Sequence, residues 1–163
     1  LFVTHDQEEA MAISDRVGVM NHGRLEQIDK PIVLYNSPTT SFVASFVGLA
    51  NRIPAEITAK GRARVLNQKV NILASAEAFD EGDKVNVIIR PESLELVSES
   101  DTDATRGIVA LKSFLGPMTK VGIAVEGAPL IHLNIASREV RKLEIGDRIA
   151  FKISSDEVMA ERV

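Results

Sequence analysis

Three basic residues at alternating positions, Lys60, Arg62 and Arg64, are the first candidates for chemistry in this sequence. They lie in a stretch, residues 57–76, that contains no acidic side chain. Alternate residues of an extended chain share one face, so the three cations would line up and could bind an oxyanion. Rows of this kind are more often a solvated sheet face or an edge guarded against aggregation, and both interpretations remain open.

A second candidate is the motif Arg90-Pro91-Glu92, which ends an apolar strand with a proline between two opposite charges. One interpretation is a loop shaped for a subunit interface or a ligand pocket, in which Arg90 and Glu92 are binding residues. The other is structural, because proline can fix a turn while the arginine and the glutamate pair locally. Neither interpretation makes these residues catalytic.

The three histidines do not suggest a metal site. His22 falls in a tight-turn sequence, and His132 alternates with apolar neighbours along a strand. His5 follows an apolar run and directly precedes a helix start, where a single histidine is more often an ordinary boundary residue. We therefore expect no bound metal.

Composition limits the class of protein. The 163 residues carry 19 basic and 23 acidic side chains, a net charge of −4, without a basic run that could hold a polyanion, so no nucleic-acid partner is expected. Six Phe, one Tyr and no Trp also argue against nucleic-acid binding. The lack of cysteine excludes disulfide and thiol chemistry, and no apolar stretch approaches the ~18 residues of a membrane span. These features fit a reducing, cytoplasmic setting.

The first 48 residues predict the element order β-α-β-β-α-α. The run Leu1-Phe2-Val3 is typical of the second half of a buried strand, so we treat the chain as a fragment. A helix is expected to begin at Asp6, with Glu9 completing a capping box and with Ala10 and Ile13 facing inward.

The turn sequence Asn21-His22-Gly23 then predicts a hairpin between two short strands. A short helix is expected at residues 32–35. Ser37, followed by Pro38, is the predicted N-cap of the next helix, and Gly48 is its predicted left-handed terminator.

From about Asn51 the pattern changes to short alternating runs separated by Gly, Pro and Asp, which favours a small barrel or two packed sheets. We place the domain boundary near residues 49–52 and the longest exposed loop at residues 98–106. The predicted strands are 53–60, 62–66, 69–73, 84–89, 94–97, 108–114, 119–125, 129–135, 148–153 and 158–163.

An internal echo links two parts of this region. Gly82-Asp83 and the apolar run that follows match Gly146-Asp147 and its run, 64 residues later. The echo indicates either a structural duplication or a common way of entering a strand.

The motifs together resemble a known family. The stretches VTHDQEEAM at residues 3–11 and NHGRLEQ at residues 21–27 are similar to the switch-histidine region of importer-type ABC ATPases, and FVASFVG at residues 42–48 continues the pattern. The motif Arg90-Pro91-Glu92 resembles the signature of the TOBE domain, an OB-like β-barrel in the maltose, sulfate, molybdate, iron and polyamine importer group. The expected fold is therefore mainly β: an OB-like TOBE barrel at residues 51–163, preceded by an α/β remnant of a nucleotide-binding domain at residues 1–50.

The resemblance also implies a function. His5 would be the switch histidine, contacting the γ-phosphate in the intact ATPase, which would use ATP and Mg²⁺. The sequence has no G-x-x-x-x-G-K-[ST] phosphate loop, so we expect neither a cofactor nor ATPase activity from this chain alone. The implied partners are a second copy through the TOBE domain and membrane permease subunits, at the cytoplasmic face of the cell membrane.

Two roles remain open for the β-rich region. One is regulation and dimerisation of an importer that takes up an inorganic anion, iron or a polyamine. The alternative is a small-ligand sensor, in which the barrel binds the transported oxyanion through Lys60, Arg62 and Arg64 and feeds back on transport.

Overall fold

A computed structural model describes residues 1–73, 79–155 and 157–163 of the chain. These residues divide into two compact units, Leu1–Ala50 (unit 1) and Asn51–Val163 (unit 2). Each unit has its own buried apolar cluster. No helix of the described residues is long and apolar enough to cross a membrane.

Unit 1 is a hairpin with short helices. Its elements are α1 (Gln7–Ile13), β1 (Val17–Asn21), β2 (Arg24–Asp29), α2 (Pro31–Asn36) and α3 (Ser41–Phe46). The strand predicted at Leu1-Phe2-Val3 is wrong: these residues are exposed and have no strand beside them among the described residues. Without ladder hydrogen bonds, an apolar run does not become a strand.

The start of α1 keeps only half of the predicted capping box. Asp6 Oδ1 accepts a hydrogen bond from the Glu9 backbone N–H at 3.0 Å, as predicted. The return bond comes from Thr4 instead, whose hydroxyl oxygen accepts from the Asp6 N–H at 3.0 Å. The predicted inward face of α1 is also wrong, because no residue of this helix is buried and Ile13 is 68% exposed. The apolar cluster of unit 1 forms without α1.

The predicted hairpin is present. β1 and β2 pair antiparallel, and His22 and Gly23 between them have positive φ values of 45° and 77°. Two successive positive φ values give the twist that a two-residue hairpin connection needs.

The last helix of unit 1 starts later than predicted. Ser37 ends α2, since its N–H donates to Val33 O at 2.8 Å, and Thr40 caps α3 by accepting from the Val43 N–H. Buried Gln27 holds the intervening loop, accepting from the Thr39 N–H at 2.8 Å. Gly48 has no positive φ and is not the predicted terminator; the α3 C-cap is Val47, at φ −82°.

In the described part of unit 2, the ten predicted strands are all present, three of them with the predicted bounds and the others with ends that shift by at most three residues. Thr105 and Arg106, predicted as loop, begin the long strand β8. The strands are β3 (Asn51–Ala59), β4 (Arg62–Val65), β5 (Gln68–Ile72), β6 (Lys84–Ile89), β7 (Leu94–Val97), β8 (Thr105–Leu115), β9 (Met118–Ala124), β10 (Ile131–Ala136), β11 (Arg148–Ile153) and β12 (Glu157–Arg162).

These strands form a closed barrel and a second curved sheet. The barrel has the order β12-β5-β4-β3-β6, and the second sheet has the order β10-β9-β8-β11-β7. The edge strands β7 and β10 of the second sheet approach each other, so this sheet nearly closes as well. Alternating side chains of both fill one shared core, with Ile53, Val87, Leu133 and Phe151 among its fully buried members.

The order of the strands shows a duplication in which the last strands are exchanged. Strands β3 to β6 of the barrel correspond one by one to β8 to β11 of the second sheet, and β12 completes the first while β7 completes the second. The chain thus crosses from barrel to sheet after β6 and back after β11. Neither half can close without a strand from the other.

The hydrogen bonds at the two Gly-Asp entries are the same. Gly82 has φ 93°, its N–H donates to Ile57 O at 2.9 Å, and the Ile57 N–H donates back to Asp83 O at 3.0 Å. In the second copy Gly146 has φ 98°, its N–H donates to Val109 O at 2.8 Å, and the Val109 N–H donates back to Asp147 O at 3.0 Å. The structure therefore favours duplication over coincidence as the reason for the sequence echo.

Candidate functional site

His5 lies on the surface of unit 1. Its side chain is exposed, immediately before the capped start of α1. The bonds among Thr4, Asp6 and Glu9 fix the backbone beside it. The switch-histidine role stays a prediction.

The motif Arg90-Pro91-Glu92 lies where the chain crosses from the barrel to the second sheet. Pro91 is buried and begins a single 3₁₀ turn, Pro91–Ser93, that joins β6 to β7 beside β10. Ser93 O accepts from the N–H of Ser154, at the corresponding crossing after β11. This placement explains the proline by the turn it fixes. A binding role for Arg90 and Glu92 stays a prediction.

The basic row lies on the outer wall of the closed barrel. Arg62 and Arg64 point outward from β4, and Lys60 is exposed in the turn before it. Arg64 is opposite Glu56 of β3, whose carboxylate also pairs with Lys84. The hydrogen bond from Lys84 is the main reason that the pKa of Glu56 falls below 4.5; the charges of Lys84 and, less, of Arg64 add to it. A carboxylate thus lies within this row, which weakens its attraction for an anion.

A groove at the open end of the second sheet was not predicted. It is an open groove with a volume of about 740 Å³, between the β8–β9 hairpin and the loop that follows β10. Its lining residues are Lys112, Phe114, Gly116, Pro117, Thr119, Ala136, Ser137, Arg138, Val140 and Arg141. Arg138 and Arg141 are close in sequence, but only the strand register brings Lys112 and Phe114 to them.

The outer face of the second sheet carries exposed apolar side chains. Leu111 and Leu115 of β8 and Met118 of β9 point away from the core, with Ile108 at one end and Leu130 beside them. A Cβ added at Gly122 would lie 2.9 Å from Leu111 Cβ and 3.2 Å from Leu130 Cδ2, so these two leucines flank the glycine. We call these five residues (Ile108, Leu111, Leu115, Met118, Leu130) the outer apolar face.

His132 lies at the edge of the second sheet. Asn51 clamps its backbone: Asn51 Nδ2 donates to His132 O at 2.8 Å, and the His132 N–H donates to Asn51 Oδ1 at 2.7 Å. Nδ1 of His132 is buried without a hydrogen-bond partner among the described residues. Burial, with a smaller contribution from the charge of Lys120, lowers the pKa of His132 below 6.5. No cluster of potential metal ligands occurs in the residues that the structure describes.

This lowered pKa gives a pH-dependent stability. The unfolded chain takes up a proton on His132 more readily than the folded chain, so the contribution is full above about pH 6.5 and is lost as the pH falls through the folded pKa. We expect His132→Gln to reduce the loss of unfolding free energy between pH 7.5 and pH 5. Urea unfolding of both proteins at the two pH values measures this. An unchanged difference would assign the pH dependence to another group.

The comparisons with known proteins agree with this architecture. Residues 87–160 match the TOBE domain family. A spermidine/putrescine import ATP-binding protein PotA from Onion yellows phytoplasma is 42% identical over 116 residues, which cover 71% of this chain and 27% of that protein. PotA 2 of Pseudomonas aeruginosa is 32% identical over 160 residues, covering 91% of this chain and 44% of its own length.

A sulfate relative and a solved structure extend the comparison. The sulfate/thiosulfate import ATP-binding protein CysA of Xanthomonas campestris is 45% identical over 101 residues, 62% of this chain and 28% of that protein. The chain thus spans less than half of the length of each of these relatives. The cytoplasmic molybdate-binding protein ModG, solved with molybdate bound, matches 69% of this chain and 96% of its own with a TM-score of 0.57 at 16% identity, a likeness of fold. Both the predicted family resemblance and the predicted mainly β, OB-like fold are confirmed.

Proposed function

We propose that unit 2 is the regulatory and dimerisation part of an ABC importer ATPase and that unit 1 is the end of its nucleotide-binding domain. The proposal starts from the match to the TOBE domain family and from the similarity to importer ATP-binding proteins. The observation that carries this proposal is a similarity that covers 91% of the chain and therefore includes both units. The whole protein would couple ATP hydrolysis to solute uptake, using ATP and Mg²⁺, beside permease subunits at the cytoplasmic face of the membrane.

In this proposal His5 acts only in the complete nucleotide-binding domain. There it would contact the γ-phosphate and hold the attacking water, which is positioning and charge stabilisation rather than covalent chemistry. Its exposed position before a capped helix leaves the imidazole accessible to a nucleotide. The proposed solute is an inorganic anion, iron or a polyamine, and the relatives are named for polyamine import and for sulfate import.

The surface that would join two copies is the outer apolar face. It places five large apolar side chains on one side of a sheet, with Lys120 as the charged side chain of β9 on that side. Large apolar side chains that are exposed on one side of a sheet mark protein interaction sites. A two-fold dimer would bring the same residues of both copies together and remove them from water.

Light scattering across a range of concentrations tests this proposal. We expect the chain to dimerise and Leu111→Asp to weaken the dimer at least about tenfold, because a carboxylate would be buried in an apolar interface. The matched control is Ile145→Asp, an equally drastic change at an exposed residue outside the outer apolar face. A chain that stays monomeric at high concentration, or a dimer that tolerates Leu111→Asp, would refute dimerisation through this surface.

The alternative function, an oxyanion sensor at Lys60, Arg62 and Arg64, rests on the shared outward direction of the two arginines and on Lys69 opposite Arg64. Titration calorimetry with sulfate and molybdate tests it. Saturable binding that is lost in Arg62→Ala and Arg64→Ala would favour the sensor. Binding that survives both changes would remove the basic row from consideration.

A further inference from the structure

The groove at the open end of the second sheet has walls that are fixed by internal hydrogen bonds. The Ser137 hydroxyl donates to Gly116 O at 2.6 Å and is 2.8 Å from the Thr119 hydroxyl, while the Ser137 N–H donates to Pro117 O at 2.9 Å. These bonds tie the loop after β10 to the β8–β9 hairpin. Val140, which is buried, anchors the middle of the same loop. The groove is therefore formed before any ligand arrives, which lowers the cost of binding.

The lining of the groove is strongly positive. It contains Lys112, Arg138 and Arg141 and no carboxylate, in a chain whose net charge is −4. Lys112 is held in place because its ammonium donates to Leu143 O. Arg138 has Glu139 at 3.7 Å, a loose pair on the surface, and Arg141 has no ion pair within the described residues. Two guanidinium groups can bind a tetrahedral anion with paired hydrogen bonds, and a third cation balances a second negative charge.

The volume of the groove and its apolar lining indicate that the ligand has an organic part in addition to an anionic group. A volume of about 740 Å³ is within the usual range for small-molecule sites and far exceeds a bare tetrahedral oxyanion. Phe114 presents a ring that is 75% exposed, beside Pro117. Because β8 alternates, Phe114 lies on the groove side of the hairpin whereas Leu115 belongs to the outer apolar face.

We propose that this groove binds a small organic phosphate, with the phosphate between Arg138, Arg141 and Lys112 and the organic body against Phe114. Unit 2 would then have a ligand site that is separate from the basic row of the barrel and from the outer apolar face. The proposal does not depend on dimerisation, since the groove is complete within one chain.

Titration calorimetry on the full chain tests the proposal. The probes are AMP and glucose 6-phosphate, with adenosine, glucose and inorganic phosphate as separate arms. We expect saturable binding of at least one of the two organic phosphates and much weaker binding of its dephosphorylated form. Inorganic phosphate should bind weakly, because it leaves Phe114 uncovered.

The variants assign the binding to this groove. Arg138→Gln and Arg141→Gln change exposed side chains, so they should fold normally, and each should weaken binding by about ten- to a hundredfold. Phe114→Ala should weaken binding of the organic phosphate and leave inorganic phosphate unchanged. Arg24→Gln, in the hairpin of unit 1, removes the same charge outside the groove and should have no effect.

Three results would overturn the proposal. They are the absence of binding by both organic phosphates, binding that Arg138→Gln and Arg141→Gln leave intact, and inorganic phosphate binding as tightly as AMP and glucose 6-phosphate. Light scattering of the same samples reports dimerisation independently, so failure of the groove proposal and failure of the dimer proposal are distinguishable.

Discussion

Replacing Gln68 by alanine is expected to lower the free energy of unfolding by about 3–5 kcal/mol. Gln68 is buried on β5, and its Nε2 donates to the Thr105 hydroxyl at 2.8 Å and to Phe151 O at 3.3 Å. Its Oε1 accepts from the Ile153 N–H at 3.0 Å. Truncation would remove these three hydrogen bonds from a buried site, and each buried group left unsatisfied costs about 1–3 kcal/mol.

The position of Gln68 makes this loss global rather than local. Thr105 begins β8 and Phe151 and Ile153 lie on β11, so one side chain connects the barrel to two strands of the second sheet. The Thr105 hydroxyl in turn donates to the carbonyl of Leu66, at 2.7 Å, in a turn where Leu66 has a positive φ of 48°. A positive φ is uncommon for leucine, so this bond stabilises a strained turn.

Urea unfolding followed by far-ultraviolet circular dichroism measures the effect. The midpoint should fall while the slope stays the same, because the surface exposed on unfolding hardly changes. Lys69→Ala is the matched control, an exposed residue on the same strand, and should stay within about 0.5 kcal/mol of the wild type. Equal midpoints for Gln68→Ala and Lys69→Ala would contradict the role of Gln68.

Alternation of apolar residues predicted the strands well because it reports burial directly. β6, β7 and β11 have the bounds that the sequence predicts. Gln68 was missed as a strand residue because glutamine is usually exposed, and the sequence alone does not show that this glutamine is buried. Its burial depends on Thr105 and Ile153, which lie far away in the sequence.

Elements that depend on distant partners were predicted least well. The motif Leu1-Phe2-Val3 has strand propensity but no neighbouring strand in the described residues. Ser37 has the features of an N-cap, yet its N–H already closes the preceding helix. The groove was missed for a similar reason, since Lys112 and Phe114 meet Arg138 and Arg141 only through the register of β8, β9 and β10. Local patterns therefore predicted the elements, while long-range pairing determines the site.

Replacing Gly107 by alanine is expected to cost about 1–3 kcal/mol, the usual range for overpacking a closely packed site. Gly107 lies in β8, and a Cβ at this position would lie 2.4 Å from Ile123 Cγ2 and 2.7 Å from the carbonyl oxygen of Ala124. Its φ is not among the positive values, so the limit is space rather than backbone conformation. The carbonyl belongs to the backbone of β9, and moving it would disturb the β8–β9 ladder.

The duplication sharpens this expectation, since Ala55 of β3 is opposite Val85 as Gly107 of β8 is opposite Ile149. The closed barrel thus has room for a Cβ at Ala55, whereas the second sheet has no room for one at the corresponding Gly107. Gly18→Ala is the matched control, because the nearest atom to its added Cβ is the tip of exposed Leu25, at 3.2 Å. Thermal and urea unfolding should show Gly107→Ala well below both the wild type and Gly18→Ala. If Gly107→Ala had the same free energy of unfolding as the wild type, β8 and β9 would have room to separate. Close packing would then not be the reason for a glycine at this position.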